Sequence, residues 1–323
     1  MLFPKTVLVV EINKKGQVNT MENEKIQIIG VDHGFAMMKH THGVFPNGLN
    51  RLSGEATLTN NTLIIDGQSF KIGEGRMLMK DDKTSDEDYF ILTVAAVCKE
   101  LKARGLDNAE VILAVGLPFS RFGIERQRFH DYLMRDGVIR ANLDSEDYEF
   151  TVKEVCVYPQ CYAAVASRLT DMGPEALCVD IGSKTVDIIH IINHVPVESE
   201  STSWPEALIE CMERIKNEVY RQTNRRVTET QIQMVIEKGD CPIPDECVDV
   251  IRNGLHRFVE GIEAKLKENG FESDIIPIFY VGGGAGVMRR FRSGNRKNVT
   301  YIEDIRANAI GYEYLCRCMR KRG

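Results

Sequence analysis

The chain has 323 residues, 43% hydrophobic and 27% charged, with a formal net charge of -6. That is globular composition, long enough for two compact domains. The acidic balance speaks against strong direct nucleic-acid binding, and no apolar run approaches the roughly 18 residues that span a membrane. The nine cysteines are odd in number and scattered without a C-x-x-C pair, which reads as a reduced, cytoplasmic protein with free, mostly buried thiols.

In chain order, residues 1–20 carry a short apolar run without a small-residue cleavage site, and they read as an N-terminal extension rather than a secretory signal. The first strand runs from Ile26 to Asp32 and turns at Asp32-His33-Gly34. Phe35–His40, which contains Lys39, closes a hairpin. Residues 57–73 carry Asn60-Asn61 and Asp66-Gly67 as turn signals between short β-type runs. Residues 86–104 have helical spacing (Phe90, Ile91, Val94, Val97, Cys98, Leu101), with Ser85 as N-cap and Gly105 as the stop.

A buried strand over 111–120 contains Gly116-Leu117-Pro118, and a basic helix over about 123–135 follows. The 151–160 strand stops at Pro159-Gln160, before a helix over about 161–171. After Gly173-Pro174 comes a second hairpin, 177-LCVDIGSKTVDIIHI-191. Ser203 is the expected N-cap of a helix over 204–222. Residues 228–236 and 244–269 also read as helices. Then 276-IPIFYVGGGAGVMRRF-291 is a strand, a glycine run and a helix start, and a last helix covers 303–320. Each half thus opens on a strand–Asp-x-Gly–strand hairpin and later carries a strand ending in a glycine turn. That predicts two similar α/β domains.

The two Asp-x-Gly turns carry the chemistry. A hairpin tip offers several backbone N–H groups that bind phosphate. A carboxylate beside it repels phosphate unless a divalent cation intervenes, and Mg²⁺ uses one or two carboxylates plus phosphate oxygens. Asp32 and Asp180 suit water-mediated Mg²⁺ binding, and Lys39 and Lys184 suit charge neutralisation. Asp-x-Gly is also an ordinary turn, but two copies at the same place in each half argue for the site. Gly282, Gly283 and Gly284 permit close backbone approach to a flat ligand, without the spacing of a P-loop or a Rossmann fingerprint. Gln160 is either an exposed loop residue or the group that orients an attacking water.

Together 28-IIGVDHGFAMMK-39, 155-VCVYPQCYAAVAS-167, 177-LCVDIGSKTVDI-188, 279-FYVGGGAGV-287 and 306-RANAIGYEYL-315 resemble the ordered motifs of the actin-like ATPase superfamily. The likeness is greatest to the ParM/StbA family of bacterial plasmid-segregation actins, and it covers about residues 26 to 316. The resemblance implies an actin-like fold of two duplicated, ribonuclease-H-like α/β domains around a nucleotide cleft. Domain I is expected over 21–172, with the helix at 304–323 packing back on it, and domain II over 173–303.

It further implies ATP or GTP as ligand, with Mg²⁺ held through water by Asp32 and Asp180. Gly34, Lys39, Gly182, Ser183, Lys184 and Thr185 are then the phosphate-binding residues, and Gly282–Gly284 the adenosine-binding ones, with Glu218 or Arg221 near the base. Gln160, Asp180 and Asp32 become the catalytic residues. Phe35 stands where the family has Ser or Thr, and Lys184 where a small residue is common. The implied function is a cytoplasmic NTPase that forms head-to-tail filaments and segregates plasmid or phage DNA through a DNA-binding adaptor protein, without membrane attachment. The alternative is a non-polymerising member, a small-molecule kinase or a chaperone-type ATPase. The kinase needs an aspartate base where Gln160 stands, and the chaperone needs a peptide-binding domain beyond residue 323.

Overall fold

The computed structural model describes residues 26–53, 60–75, 77, 82–294 and 296–321; the expected extension at 1–20 lies outside them. The described chain forms two compact units. One holds residues 26–167 and 306–321, the other residues 168–305.

The first unit begins with β1 (Ile26–His33), β2 (Met37–His40), β3 (Gly43–Pro46), β4 (Leu49–Arg51), β5 (Thr62–Ile65) and β6 (Gln68–Ile72). Then come α1 (Asp88–Ala103), β7 (Asn108–Leu117), α2 (Phe119–Leu133), β8 (Ile139–Leu143), β9 (Glu146–Pro159) and α3 (Tyr162–Val165). The strands form one sheet in the order β3-β2-β1-β7-β9-β8-β5-β6-β4. β1, β7 and β9 are parallel, and β2 returns antiparallel beside β1. Side chains alternate across a strand, so Ile29 and Val31 face the core that contains α1, while Ile28 faces the opposite one.

The second unit contains β10 (Glu175–Ile181), β11 (Val186–Ile192), β12 (Val195–Pro196), β13 (Thr202–Trp204), α4 (Leu208–Thr223), α5 (Glu229–Lys238), α6 (Asp245–Glu268), β14 (Ile278–Val281), α7 (Ala285–Phe291) and β15 (Val299–Tyr301). The sheet order is β12-β11-β10-β14-β15, with β13 beside β11. β10, β14 and β15 are parallel, and β11 is antiparallel to β10. This repeats the β3-β2-β1-β7-β9 pattern, so the α/β duplication expected from the sequence is present. Leu177, Val179 and Ile181 of β10 share one core with α4 residues Ile215 and Val219 and α6 residues Ile251 and Leu255.

α8 (Ala307–Arg320) completes the first unit. Tyr312, Leu315 and Cys316 pack on Ile28, Ile112 and Tyr158. The approach is close: a Cβ on Gly30 would stand 2.0 Å from Ala309 O, and one on Gly311 only 1.9 Å from Ala163 O. Beside it, buried Glu100 accepts hydrogen bonds from His40 Nδ1 and His42 Nδ1, each at 2.6 Å, and from Arg104 Nε at 2.8 Å. Arg104 continues to Glu313 of α8 at 2.9 Å.

Several expected element boundaries move; the 111–120 strand ends at Leu117 and the basic helix expected over 123–135 already begins at Phe119. The 204–222 helix starts at Leu208 instead, because Ser203 is taken into β13 as the register partner of Asp187. Its first amides are satisfied by carbonyls of the β10–β11 turn, not by a Ser203 cap: Leu208 N donates to Gly182 O at 3.4 Å and Ile209 N to Ser183 O at 3.0 Å. The 86–104 helix begins at Asp88, with Glu87 rather than Ser85 at the N-cap. The 161–171 helix is one α-turn followed by a 3₁₀ segment, Ala166–Asp171. The final helix begins at Ala307, four residues later than its periodicity implied. Among the described residues no helix is long and apolar enough to cross a membrane.

Candidate nucleotide site

Each unit carries an aspartate at the same point, one residue before the end of its first strand. In the first unit Asp32 is 1% exposed. Its Oδ2 accepts from Lys39 Nζ at 2.7 Å, and its Oδ1 accepts from Gln160 Nε2 at 2.9 Å. Lys39 reaches it because Asp32 and Lys39 are register partners across the hairpin. Burial raises the Asp32 pKa, but the Lys39 ammonium and its hydrogen bond outweigh that and hold the carboxyl below its ordinary range. Gly34 makes room for this arrangement, since a Cβ there would stand 2.6 Å from Met37 O and 2.9 Å from Lys39 Nζ.

Gln160 follows the last residue of β9, and its amide donates to Leu117 O at 2.8 Å, which ties it to the end of β7. The next residue, Cys161, has φ +66°. This is unusual for a non-glycine residue, and Cys161 N donates to Asn308 Oδ1 of α8 at 3.0 Å. The first unit therefore brings Asp32, Gly34, Lys39 and Gln160 together.

Two further residues belong to this cluster and were not expected. Lys83 is buried, and its Nζ donates to His33 O at 2.5 Å. Burial first, and then the neighbouring Lys39 charge, push its pKa down to about 8, against the opposing pull of Asp32. Asn47 Nδ2 donates to Gly34 O at 2.7 Å. Behind the turn, burial together with the Lys83 charge holds His33 neutral, its pKa lowered to about 3, and His33 Nε2 shares a 2.7 Å hydrogen bond with Thr93 Oγ1.

In the second unit Asp180 is 8% exposed and Asp187, its register partner, 6%. Carboxylate oxygens are the ligand type that a hard divalent cation such as Mg²⁺ takes, so the residues present fit that ion. Gly182 N donates to Thr185 O at 2.9 Å, closing the turn, and Thr185 Oγ1 donates to Asp187 Oδ2 at 2.9 Å. Ser183 and Lys184 are half-buried on that turn.

The glycine run packs against the same strand end. Gly284 N donates to Ile181 O at 2.9 Å. A Cβ on Gly284 would stand 2.1 Å from Ile181 Cγ2, and one on Gly282 would stand 2.2 Å from Asp180 Oδ1. The second unit therefore brings Asp180, the turn 182–185 and Gly282–Gly284 together.

Beside them is a cavity of about 530 Å³, lined by Gln233, Ile236 and Glu237 of α5, Gly283, Gly286, Arg289, Arg290, Glu303 and Ile305. That volume lies in the range of small-molecule sites. Glu218 and Arg221 of α4 are not among its lining residues; Glu218 instead pairs with Arg257 of α6. α5 walls this cavity beside Gly283. A larger depression of about 690 Å³, along β5, β8 and β9, is lined by none of the candidate residues.

Two α/β units with matching sheet orders and aspartate-tipped hairpins define the actin-like fold. Residues 30–162 match the family model for the N-terminal domain of actin-like proteins. The chain has the actin-like fold, and ParM and Alp proteins are among the solved structures it resembles. Apo ParM of pSK41 is 17% identical, with a TM-score of 0.71 over 93% of this chain and 99% of that one. The archaeal actin homologue Ta0583, in its complex with ADP, is 19% identical, with a TM-score of 0.69 over 90% of this chain and 99% of that one. The Alp12 filament structure is 16% identical, with a TM-score of 0.69 over 93% of this chain and 100% of that one. No curated protein matches the chain by sequence.

Proposed function

We propose that this chain is a Mg²⁺-dependent nucleoside triphosphatase, taking ATP or GTP, whose nucleotide state controls its assembly into filaments. The carrying observation is the duplicated hairpin, with a buried aspartate at the same strand position in each unit and a glycine-containing turn directly after it. Asp32 in one unit and Asp180 in the other are the residues that would hold Mg²⁺ through water. Mg²⁺, when bound, neutralises charge between these carboxylates and the phosphates.

Lys39 exchanges its Asp32 partner for phosphate oxygen. Gly34, Gly182, Ser183, Lys184 and Thr185 supply phosphate contacts. Gly282–Gly284 and the neighbouring cavity take the nucleoside, with Gln233 and Glu237 of α5 at its wall in place of Glu218 and Arg221. Gln160, held by Asp32, orients the hydrolytic water.

The ADP complex of Ta0583 supports the choice of ligand, and the Alp12 filament supports self-association. Head-to-tail contacts that do not close into a ring give an open filament, and hydrolysis is the switch that destabilises it. In this reading the filament works in the cytoplasm and moves plasmid or phage DNA through a DNA-binding adaptor.

Phosphate release from ATP and GTP with Mg²⁺ tests the site. Asp180→Ala abolishes turnover while the protein stays folded; turnover equal to the unsubstituted chain removes Asp180 from the machinery.

A further inference from the structure

A trans peptide is planar, so its C=O and N–H point in opposite directions. Fixing the carbonyls of a turn therefore fixes where its amides point. In the second unit Gly182 O and Ser183 O accept from the first amides of α4. In the first hairpin, among the described residues, Lys83 and Asn47 take that role, and four consecutive carbonyls are tied down. His33 O accepts from Lys83 Nζ at 2.5 Å. Gly34 O and Phe35 O accept from Asn47 Nδ2 at 2.7 and 3.4 Å. Ala36 O accepts from the Asn47 amide at 2.9 Å. The amides of residues 34 to 37 belong to these same four peptide planes, so they face away from Lys83 and Asn47. Successive amides aimed one way make an anion-binding concavity.

Lys83 adds charge to geometry. It is only 7% exposed. Among the described residues its hydrogen-bond acceptor is a carbonyl, not a carboxylate. Its Nζ lies 5.4 Å from the centroid of the Phe35 ring and 5.8 Å from that of Tyr89. A buried ammonium without a directly bonded anion is costly, and a phosphate nearby offsets that cost. Phe35 has no hydroxyl to offer a phosphate, so in this turn the backbone amides and the lysine charge carry the anion.

We propose that Lys83 and Asn47 are the positioning residues of the first phosphate turn, aiming its amides at the anionic chain of a nucleoside di- or triphosphate. The inference rests on the nucleotide reading above. Its test is calorimetric titration of the full chain with Mg-ATP, Mg-GTP, adenosine and guanosine. Lys83→Met, Lys83→Arg and Asn47→Asp are compared with the unsubstituted protein.

Lys83→Met and Asn47→Asp weaken triphosphate binding about tenfold to a hundredfold, the worth of a hydrogen bond to a charged group. Nucleoside affinity is unchanged, and Lys83→Arg restores most of the triphosphate affinity. Triphosphate binding that survives both Lys83→Met and Asn47→Asp overturns the proposal and leaves the nucleotide reading standing. Equal loss of nucleoside and triphosphate binding also overturns it, since the two residues then act only on the fold. An unsubstituted chain that binds no nucleotide brings down the proposed function itself, and this role with it.

Discussion

Gly282 is the position where the fold and the candidate site make one demand, and Gly282→Ala tests it. Gly282 has φ +78°, a region that costs an L-residue roughly 1–2 kcal/mol. The added Cβ would also stand 2.2 Å from Asp180 Oδ1 and 2.9 Å from Ile181 O. The carboxylate can rotate away, but Ile181 O cannot, because it accepts the Gly284 amide and belongs to the central strand of its sheet. Overpacking of this kind costs roughly 1–3 kcal/mol. The sum is about 2–5 kcal/mol, which lowers the melting temperature of a unit this size by roughly 5–15 °C.

Gly283→Ala is the control for stability. Its nearest neighbour would be Leu208 Cδ1 at an ordinary 3.6 Å, and its φ is not left-handed. Differential scanning fluorimetry reads both variants. Equal melting temperatures for the two would refute the claim that the glycine run is fitted against Asp180. Gly282→Ala also loses phosphate release, because Asp180 must leave its place.

Two further outcomes follow from the first unit. The Glu100 pKa is lowered from 4.5 to about 2, since hydrogen bonds from His40 and His42 and the Arg104 charge overcome the upward push of burial. A depressed carboxyl pKa gives stability that is complete above the unfolded value near 4.5 and is lost as pH falls toward 2. That contribution is worth about 3 kcal/mol. Melting temperature measured from pH 6 to pH 3 falls more steeply for the unsubstituted chain than for Glu100→Gln, and parallel curves would contradict the assignment. Gln160→Ala slows turnover by on the order of a hundredfold and leaves nucleotide affinity nearly intact. Matched single-turnover and titration measurements separate the two effects, and unchanged turnover would exclude Gln160 as the water-orienting group.

Both hairpins were legible because their signals are local. Apolar runs converge on Asp32 and Asp180, and glycine-containing turns follow at once. The GGG run was equally plain, since buried strand residues lead into it. What the sequence hid depends on long-range partners. Thr202–Trp204 became a strand only because β11 offers it an edge, and this displaced Ser203 from its expected capping role. Lys83 lies about fifty positions from Asp32, in a polar stretch that reads as solvated surface, and only folding shows its ammonium on the His33 carbonyl. Asn47, in Pro-Asn-Gly, reads as an ordinary turn residue while its side chain holds another turn in place. Helical periodicity identified α4 and α5 but not that α5 walls the cavity beside Gly283, because that depends on long-range packing.

Nucleotide-dependent assembly is the most direct test of the whole account. Light scattering of the purified chain, with negative-stain microscopy, is followed in Mg-ATP, Mg-GTP and their non-hydrolysable analogues. The account predicts a scattering rise and filaments with at least one triphosphate, lasting longer with its analogue. Absence of filaments at high protein concentration with every nucleotide would contradict it.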